Sequence, residues 1–400
     1  MTGASTGADV IIVGAGPVGV LNALGLAKRG ISVLLLERFD AVVESPRACV
    51  YHWSVLTGLD DLGVLDDAIE LGFQKQDYQY YIPSTGERLA WSMEPLAAVE
   101  QYPFNVHLGQ NVLAKIALGK LEAFDNFRVQ WSTKVVGIDQ DDAGVVVHAE
   151  GPDGPVDFTA DWVIGADGAG SAVRTAVDLG FDGMTWPERF VATNVRFDFT
   201  TRGYGQANMQ VDPVYGAIIA KIDTTGLWRV TYMEDASLPE ETVADRIPAF
   251  YEQVMGPDAD YELESFSPYK MHQRSASAYR KGRVLLAGDA AHATNPTGGL
   301  GLTSGLFDTY VLYPALAAVI KGESDDSVLD RYSDERRRVF LEVASPAASE
   351  NKRFVYGSTD PERLEQDLVG VRKQLADPDL LWKRLRFPDQ LRTASLLAES

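Results

Sequence analysis

Residues Asp9–Glu37 leave this chain little choice of fold. Asp9–Val13 is a β-branched run. Gly14-Ala15-Gly16-Pro17-Val18-Gly19 follows, then LNALGLAKRG at helical spacing, then the apolar run Ile31–Leu36 ending at Glu37. Strand, glycine turn, helix, strand and acid, in that order, make a βαβ unit that binds a dinucleotide. Gly14 permits the tight turn, Gly16 lets a pyrophosphate approach the backbone, and Gly19 lets the helix pack close to the strand. Glu37 falls where a carboxylate accepts from ribose hydroxyls. The pattern does not separate FAD from NAD.

Two later stretches repeat the strand-to-acid turn. Arg283–Leu302, RVLLAGDAAHATNPTGGLGL, runs from a short buried strand into Gly288-Asp289 and then into the loop Gly298–Gly301, ahead of an apolar helical segment to Ala318. A strand ending in Asp puts a carboxylate at the mouth of a parallel sheet, where α/β ligands bind. Such a group suits the hydroxyls of a sugar or ribityl chain. Glycines before a helix let backbone N–H groups reach a ligand, and the helix N-terminus favours negative charge there. Asp161–Arg174, DWVIGADGAGSAVR, reads the same way and places Asp167 as a second carboxylate at that mouth. Gly168-Ala169-Gly170 lacks a third glycine and is not a second fingerprint.

Between these stretches the periodicity changes. Phe73–Trp91 alternates around Pro83 and Gly86 as a hairpin. Met209–Ile222 and Leu227–Met233 read as one long hairpin about Asp223–Gly226, and Phe190–Phe199 as a further strand. Helices are expected over Tyr51–Leu71, His107–Leu121, Val243–Val254 and Ser327–Val343, with Lys270–Tyr279 returning to the first domain. The expected fold class is α/β: a Rossmann-like nucleotide domain over residues 1–72, 101–182 and 270–345. A mostly antiparallel substrate domain is interleaved over 73–100 and 183–269, with a C-terminal helical segment over 346–400.

Composition narrows the function. The net charge of −21 is scattered along the chain, which disfavours contact with a phosphate backbone, so no nucleic-acid partner is expected. Cys49 is the only cysteine; it excludes an internal disulfide and fits a reducing, cytoplasmic setting. MTGASTGADV has no basic region before an apolar core, so no secretory signal is expected. Val10–Ala27 is punctuated by glycines, Pro17 and Asn22 and reads as strand–loop–helix, so no membrane span is expected. No metal site is expected.

GAGPVG, GADGAGSAVR and AGDAAHATNPTGGLGL, in this order, resemble the single-component FAD-dependent aromatic hydroxylases of the para-hydroxybenzoate hydroxylase type, over roughly residues 9–345. SPRACVYHWSVLTGLDDLGVL and YPFNVHLGQN are similar to the para-nitrophenol 4-monooxygenase and hydroxy-succinoylpyridine monooxygenase subgroup. The resemblance implies that Gly14, Gly16, Gly19 and Glu37, with Arg38 beside them, hold the ADP half of FAD. Arg47 and Gln110 lie along the pyrophosphate and ribityl chain; read from the residues alone, Arg47 could equally be solvated. Asp167 sits near the pyrophosphate and Asp289 bonds the ribityl. Pro296 and the backbone of Gly298, Gly299, Leu300, Gly301 and Leu302 face the isoalloxazine. Thr303 stands where that family often has Asn, so one contact to the ring differs from the family's pattern.

The activity implied is hydroxylation of a phenol or hydroxypyridine through a flavin C4a-hydroperoxide, with NADH or NADPH and O2 as co-substrates. In the narrower subgroup a para substituent is displaced. A group must take the substrate's proton; the candidates are His107, His52, Tyr215 and Tyr232, each of which also reads as a packed core residue. The chain is expected to work on a small aromatic substrate, with a homodimer admitted as its assembly. Two alternatives stand beside this reading: a FAD-dependent reductase or oxidase acting on a non-aromatic substrate, and a non-catalytic FAD-binding protein.

Overall fold

A computed structural model describes residues 7–397. Its first sheet is built on Gly7–Val13, flanked in parallel by Gly154–Gly165 and Val33–Leu36, with Phe127–Gln130 and Val284–Leu286 outside them. Val10, Ile11 and Ile12 are fully buried, as a parallel strand covered on both faces requires. Helix Pro17–Lys28 packs between this sheet and the helices Gln110–Leu121 and Leu300–Ile320. Leu300–Ile320 is long and apolar enough to cross a membrane, yet most of it is core: a Cβ at Gly25 would stand 2.5 Å from the Tyr313 ring.

The second sheet has eight strands in the order His292–Ala293, Glu262–Ala276, Phe181–Arg196, Leu227–Asp235, Ala217–Lys221, Ala207–Gln210, Asp77–Ile82 and Glu87–Ser92. All neighbours are antiparallel except Ala207–Gln210 with Asp77–Ile82. Helix Val243–Met255 covers one face, burying Val230 and Tyr232 against Ile247, Phe250 and Tyr251. The other face packs Phe190, Met209, Ile218 and Met233 towards Phe354, Val355 and Tyr356 of the C-terminal helix Ser345–Tyr356.

Three expectations need correction. Met209–Ile222 is not one strand: Asp212 Oδ1 accepts from the N–H groups of Val214 and Tyr215, both at 2.8 Å. This Asx turn, with Pro213 inside it, breaks the ladder into Ala207–Gln210 and Ala217–Lys221. The strand Glu262–Ala276 stays in the second sheet past residue 270, where the return to the first domain was expected. His107 belongs to a strand, Asn105–His107, at the centre of a small third sheet with Val50–Tyr51 and Phe73–Lys75; the helix begins only at Gln110.

The C-terminal segment clamps the second sheet. Helices Pro361–Ala376 and Pro378–Leu385 return to its edge, where Arg372 pairs with Glu87 at 2.6 Å and Arg384 donates to the Tyr80 hydroxyl at 2.9 Å.

Candidate active site

The mouth of the first sheet is assembled from three turns. Gly14 sits at φ +109°, and a Cβ there would lie 2.4 Å from the Ala166 carbonyl oxygen, so the first glycine turn and the Asp167 turn touch through backbone. Ala166 N–H also donates to Val13 O at 2.8 Å. A Cβ at Gly16 would meet nothing within 4 Å, which leaves the start of helix Pro17–Lys28 open to a ligand. Glu37, half-buried at the end of the second strand, accepts from Ala15 N–H at 2.7 Å and Phe39 N–H at 3.1 Å. Arg38 beside it is exposed, its guanidinium over the Phe39 ring.

The two carboxylates differ. Asp167 accepts from Ser171 Oγ, the cap of the short helix Ala172–Ala176, at 2.5 Å and from that helix's first N–H groups, Ala172 and Val173, at 2.7 and 3.2 Å. Burial raises its pKa, and those donors oppose the rise. Among the described residues none donates a hydrogen bond to Asp289. It opens onto the cleft but lies deep enough that burial raises its pKa, against His292, Arg47 and His272. Arg174 joins the two turns, donating to Ala169 O at 2.7 Å and Ala290 O at 2.8 Å. Sequence reasoning quoted Arg174 without assigning it a role.

The late loop closes the cleft. Gly299 N–H donates to Pro296 O at 3.0 Å, and Gly298 and Gly299 take φ of +95° and +70°, a left-handed pair that only glycine adopts easily. Helix Leu300–Ile320 starts there, so Leu300, Gly301 and Leu302 present first-turn N–H groups. The Thr303 hydroxyl bonds back to Gly299 O at 2.8 Å, fully buried, and is turned away from the cleft. Arg47 is exposed and joined by Nε to Ser45 Oγ at 3.1 Å; its guanidinium lies 5.7 Å from the Tyr269 ring centre. Gln110 N–H donates to Ala48 O at 3.1 Å, tying its helix to the Arg47 segment.

The third sheet sets the histidines. Val50 pairs with His107, and His52 follows two residues on. His52 Nε2 lies 2.8 Å from Gly298 O, so Nε2 carries the proton and Nδ1 is left as an acceptor. His107 is buried: Nδ1 lies 3.0 Å from Lys221 O and Nε2 lies 3.3 Å from the Tyr78 hydroxyl, which also receives Asn105 Nδ2 at 2.5 Å. Burial lowers both imidazole pKa values, with His107 brought to about 4; both are neutral at pH 7.

Tyr232 and Tyr215 do not join this group. Tyr232 stacks on Phe250 at 3.9 Å and 10°, on the helix-covered face, and Tyr215 leans on the same ring from the loop. Strand phase decides it: Trp228, Val230 and Tyr232 point to the helix, while Arg229 points the other way. Arg229 was missed by sequence reasoning. It is 4% exposed, has no carboxylate partner among the described residues, and donates to Asn194 Oδ1 at 2.7 Å and to Arg47 O. Its signal was a cation between Trp228 and Val230, two residues the strand buries. Among the described residues no group of three or more His, Cys, Asp or Glu is placed to hold a metal ion.

An unpartnered carboxylate in a cleft, an open glycine turn and a helix start aimed at the same space fit an extended flavin dinucleotide. Residues 7–346 match the family described as FAD binding domain, and the chain belongs to it. It is 45% identical to the 6-hydroxy-3-succinoylpyridine 3-monooxygenase of Pseudomonas putida (strain DSM 28022 / S16), over 96% of this chain and 98% of that one. Identity to the para-nitrophenol 4-monooxygenase of Pseudomonas sp. (strain WBC-3) is 43%, over 90% of each. The p-nitrophenol 4-monooxygenase structure from Pseudomonas putida DLL-E4 superposes with a TM-score of 0.93 at 40% identity, covering 97% of this chain and 99% of that chain. A ternary complex of aklavinone-11 hydroxylase with FAD and aklavinone gives 0.77 at 26%, covering 88% and 70%. The chain is therefore an FAD-dependent monooxygenase of aromatic compounds, with NAD(P)H as co-substrate.

Proposed function

We propose that the substrate is a phenol or hydroxypyridine oxidised at a carbon that already bears a para substituent, which then leaves. The relatives at 45% and 43% identity, named for a succinoylpyridine and a nitrophenol, support this class. FAD held in this cleft would supply the redox chemistry, with NAD(P)H as the source of two electrons and O2 as the source of the one oxygen atom that an electron-rich ring receives. The protein makes the ring electron-rich by taking its hydroxyl proton. His52 Nδ1 is that acceptor, since Nε2 is committed to Gly298 O beside the flavin loop. Arg229, a buried cation without a carboxylate, favours the resulting anion. His107 and Tyr78 hold a fixed polar wall in which Tyr78 donates to His107 Nε2.

Gly14, Gly16, Gly19, Glu37 and Arg38 hold the ADP half of FAD in this reading, and Arg47 and Gln110 the pyrophosphate and ribityl. Asp289 accepts from the ribityl hydroxyls. Pro296 and the backbone of Gly299–Leu302 face the ring system, where first-turn N–H groups favour negative charge. The second sheet and helix Ser345–Tyr356 keep water from the reaction. A cytoplasmic setting agrees with it: NAD(P)H is at hand, and Cys49, buried and unbridged, remains a thiol.

The observation that carries the proposal is the contact of His52 with Gly298, which fixes a neutral base against the loop. The test is coupled NAD(P)H turnover on a panel of para-substituted phenols and hydroxypyridines under isotopic O2. One labelled oxygen in a product lacking the substituent is expected; unlabelled product across the panel would sink the proposal.

A further inference from the structure

Behind the Asp289 turn lies a fully buried charged cluster that the reaction itself does not use. Asp308, on helix Leu300–Ile320, is eight residues from the helix start, about 12 Å below it. Its Oδ2 accepts from Gly288 N–H at 3.0 Å and lies 2.7 Å from His292 Nε2; its Oδ1 accepts from Arg336 Nε at 2.8 Å. One carboxylate therefore grips both ends of the turn that presents Asp289. Arg336 donates on to Leu391 O at 2.7 Å, Thr393 Oγ1 at 3.0 Å and Ser304 O at 3.2 Å. His292 stacks on Phe340 at 4.5 Å and 20°, in the π-helical turn Phe340–Ala344. Asp308, His292 and Arg336 are each 0% exposed. Burial acts to raise the Asp308 pKa, and His292 and Arg336 outweigh it, so the group stays charged.

We infer that Asp308 is a positioning residue for Asp289, and that through Arg336 the C-terminal residues Leu391–Thr393 form an outer support of the cofactor site. The inference rests on the FAD-holding role proposed for Asp289. Its physical basis is the donor set. Gly288 N–H, His292 Nε2–H and Arg336 Nε–H are all donors, and only a carboxylate accepts from all three. An amide at this position turns one N–H against a donor whichever way it is oriented. The Gly288 backbone then shifts, and with it the adjacent Asp289.

The test is FAD titration of the apoproteins by flavin fluorescence, with apoprotein thermal unfolding measured alongside. Asp308→Asn is expected to weaken FAD by roughly tenfold to a hundredfold, the range for a lost hydrogen bond to a charged group. If it acts through Asp289, the double variant with Asp289→Asn binds FAD no worse than Asp289→Asn alone. Thr393→Val and His292→Gln serve should Asp308→Asn fail to fold. The first should cost a few-fold in FAD affinity; the second, whose amide can still donate to Oδ2, should cost less than His292→Leu. Wild-type FAD affinity in Asp308→Asn and Thr393→Val with a lowered unfolding midpoint, or additive losses in the double variant, overturns the inference alone. Wild-type affinity in Asp289→Asn overturns it together with the cofactor reading beneath it.

Discussion

Asp167 and Asp289 stand past the ends of neighbouring parallel strands, each beside a glycine, two residues beyond Gly165 and three beyond Leu286. Asp167 has its oxygens filled by Ser171, Ala172 and Val173, whereas Asp289 has none of its own filled. The histidines repeat the contrast. Both nitrogens of His107 are engaged, and one of His52 is free. A closed polar group holds the scaffold; an open one, placed in a cleft, is left for a ligand. Burial alone does not separate them, since it shifts the pKa of all four groups.

The largest effect expected from this contrast is at His52. Replacing it with Gln, which keeps a donor for Gly298 O but removes the base, should lower kcat about 10²- to 10⁴-fold with little change in KM. The loss should shrink as pH rises and the substrate ionises unaided. Steady-state kinetics from pH 6 to 9 would show this, and a loss that does not vary with pH would make His52 another closed group.

His107 should act on stability. Its unfolded imidazole binds a proton near pH 6.5 and the folded one only near pH 4, so protons taken up in that interval favour the unfolded chain. Stability is whole above about pH 6.5 and falls by roughly 3 kcal/mol as pH drops to 4. Denaturant unfolding of the wild type against His107→Phe should show that this slope depends on the imidazole.

Asp167→Ala leaves the Ala172 and Val173 N–H groups unpaired, a cost of about 1–3 kcal/mol in apoprotein stability. Asp289→Asn should do the reverse and raise the apoprotein's thermal midpoint, because the open carboxylate is held in a site that disfavours its charge. Smallest of all is Tyr232→Phe. The Tyr232 hydroxyl is buried without a partner on the far face, so its loss should change kcat less than about twofold and leave stability equal or higher.

How far the sequence led follows from the range of the interactions. The glycine turn after Val13, the acid at Glu37 and the loop before Leu300 are local patterns, and each lies where its residues require. Whether Asp167 is open or closed depends on how the backbone after it curls, with Ser171 brought back to its carboxylate. That choice is not visible in a strand that merely ends in Asp. Met209–Ile222 misled because Asp212-Pro213, a turn pair, sits inside a stretch that is apolar on both sides of it. Tyr232 and Arg229 hinge on strand phase, since a shift of one residue exchanges the two faces. Asp308 was unreadable: its partners are 16 to 28 residues away and come from three separate elements.

The direct test of the central contrast is one titration of FAD into two apoproteins, Asp289→Asn and Asp167→Asn, at a temperature where both are folded. The open carboxylate's variant should bind FAD roughly tenfold to a hundredfold more weakly than wild type, and the closed one's within a few-fold of it. Equal losses, or a larger loss at Asp167, would contradict the account.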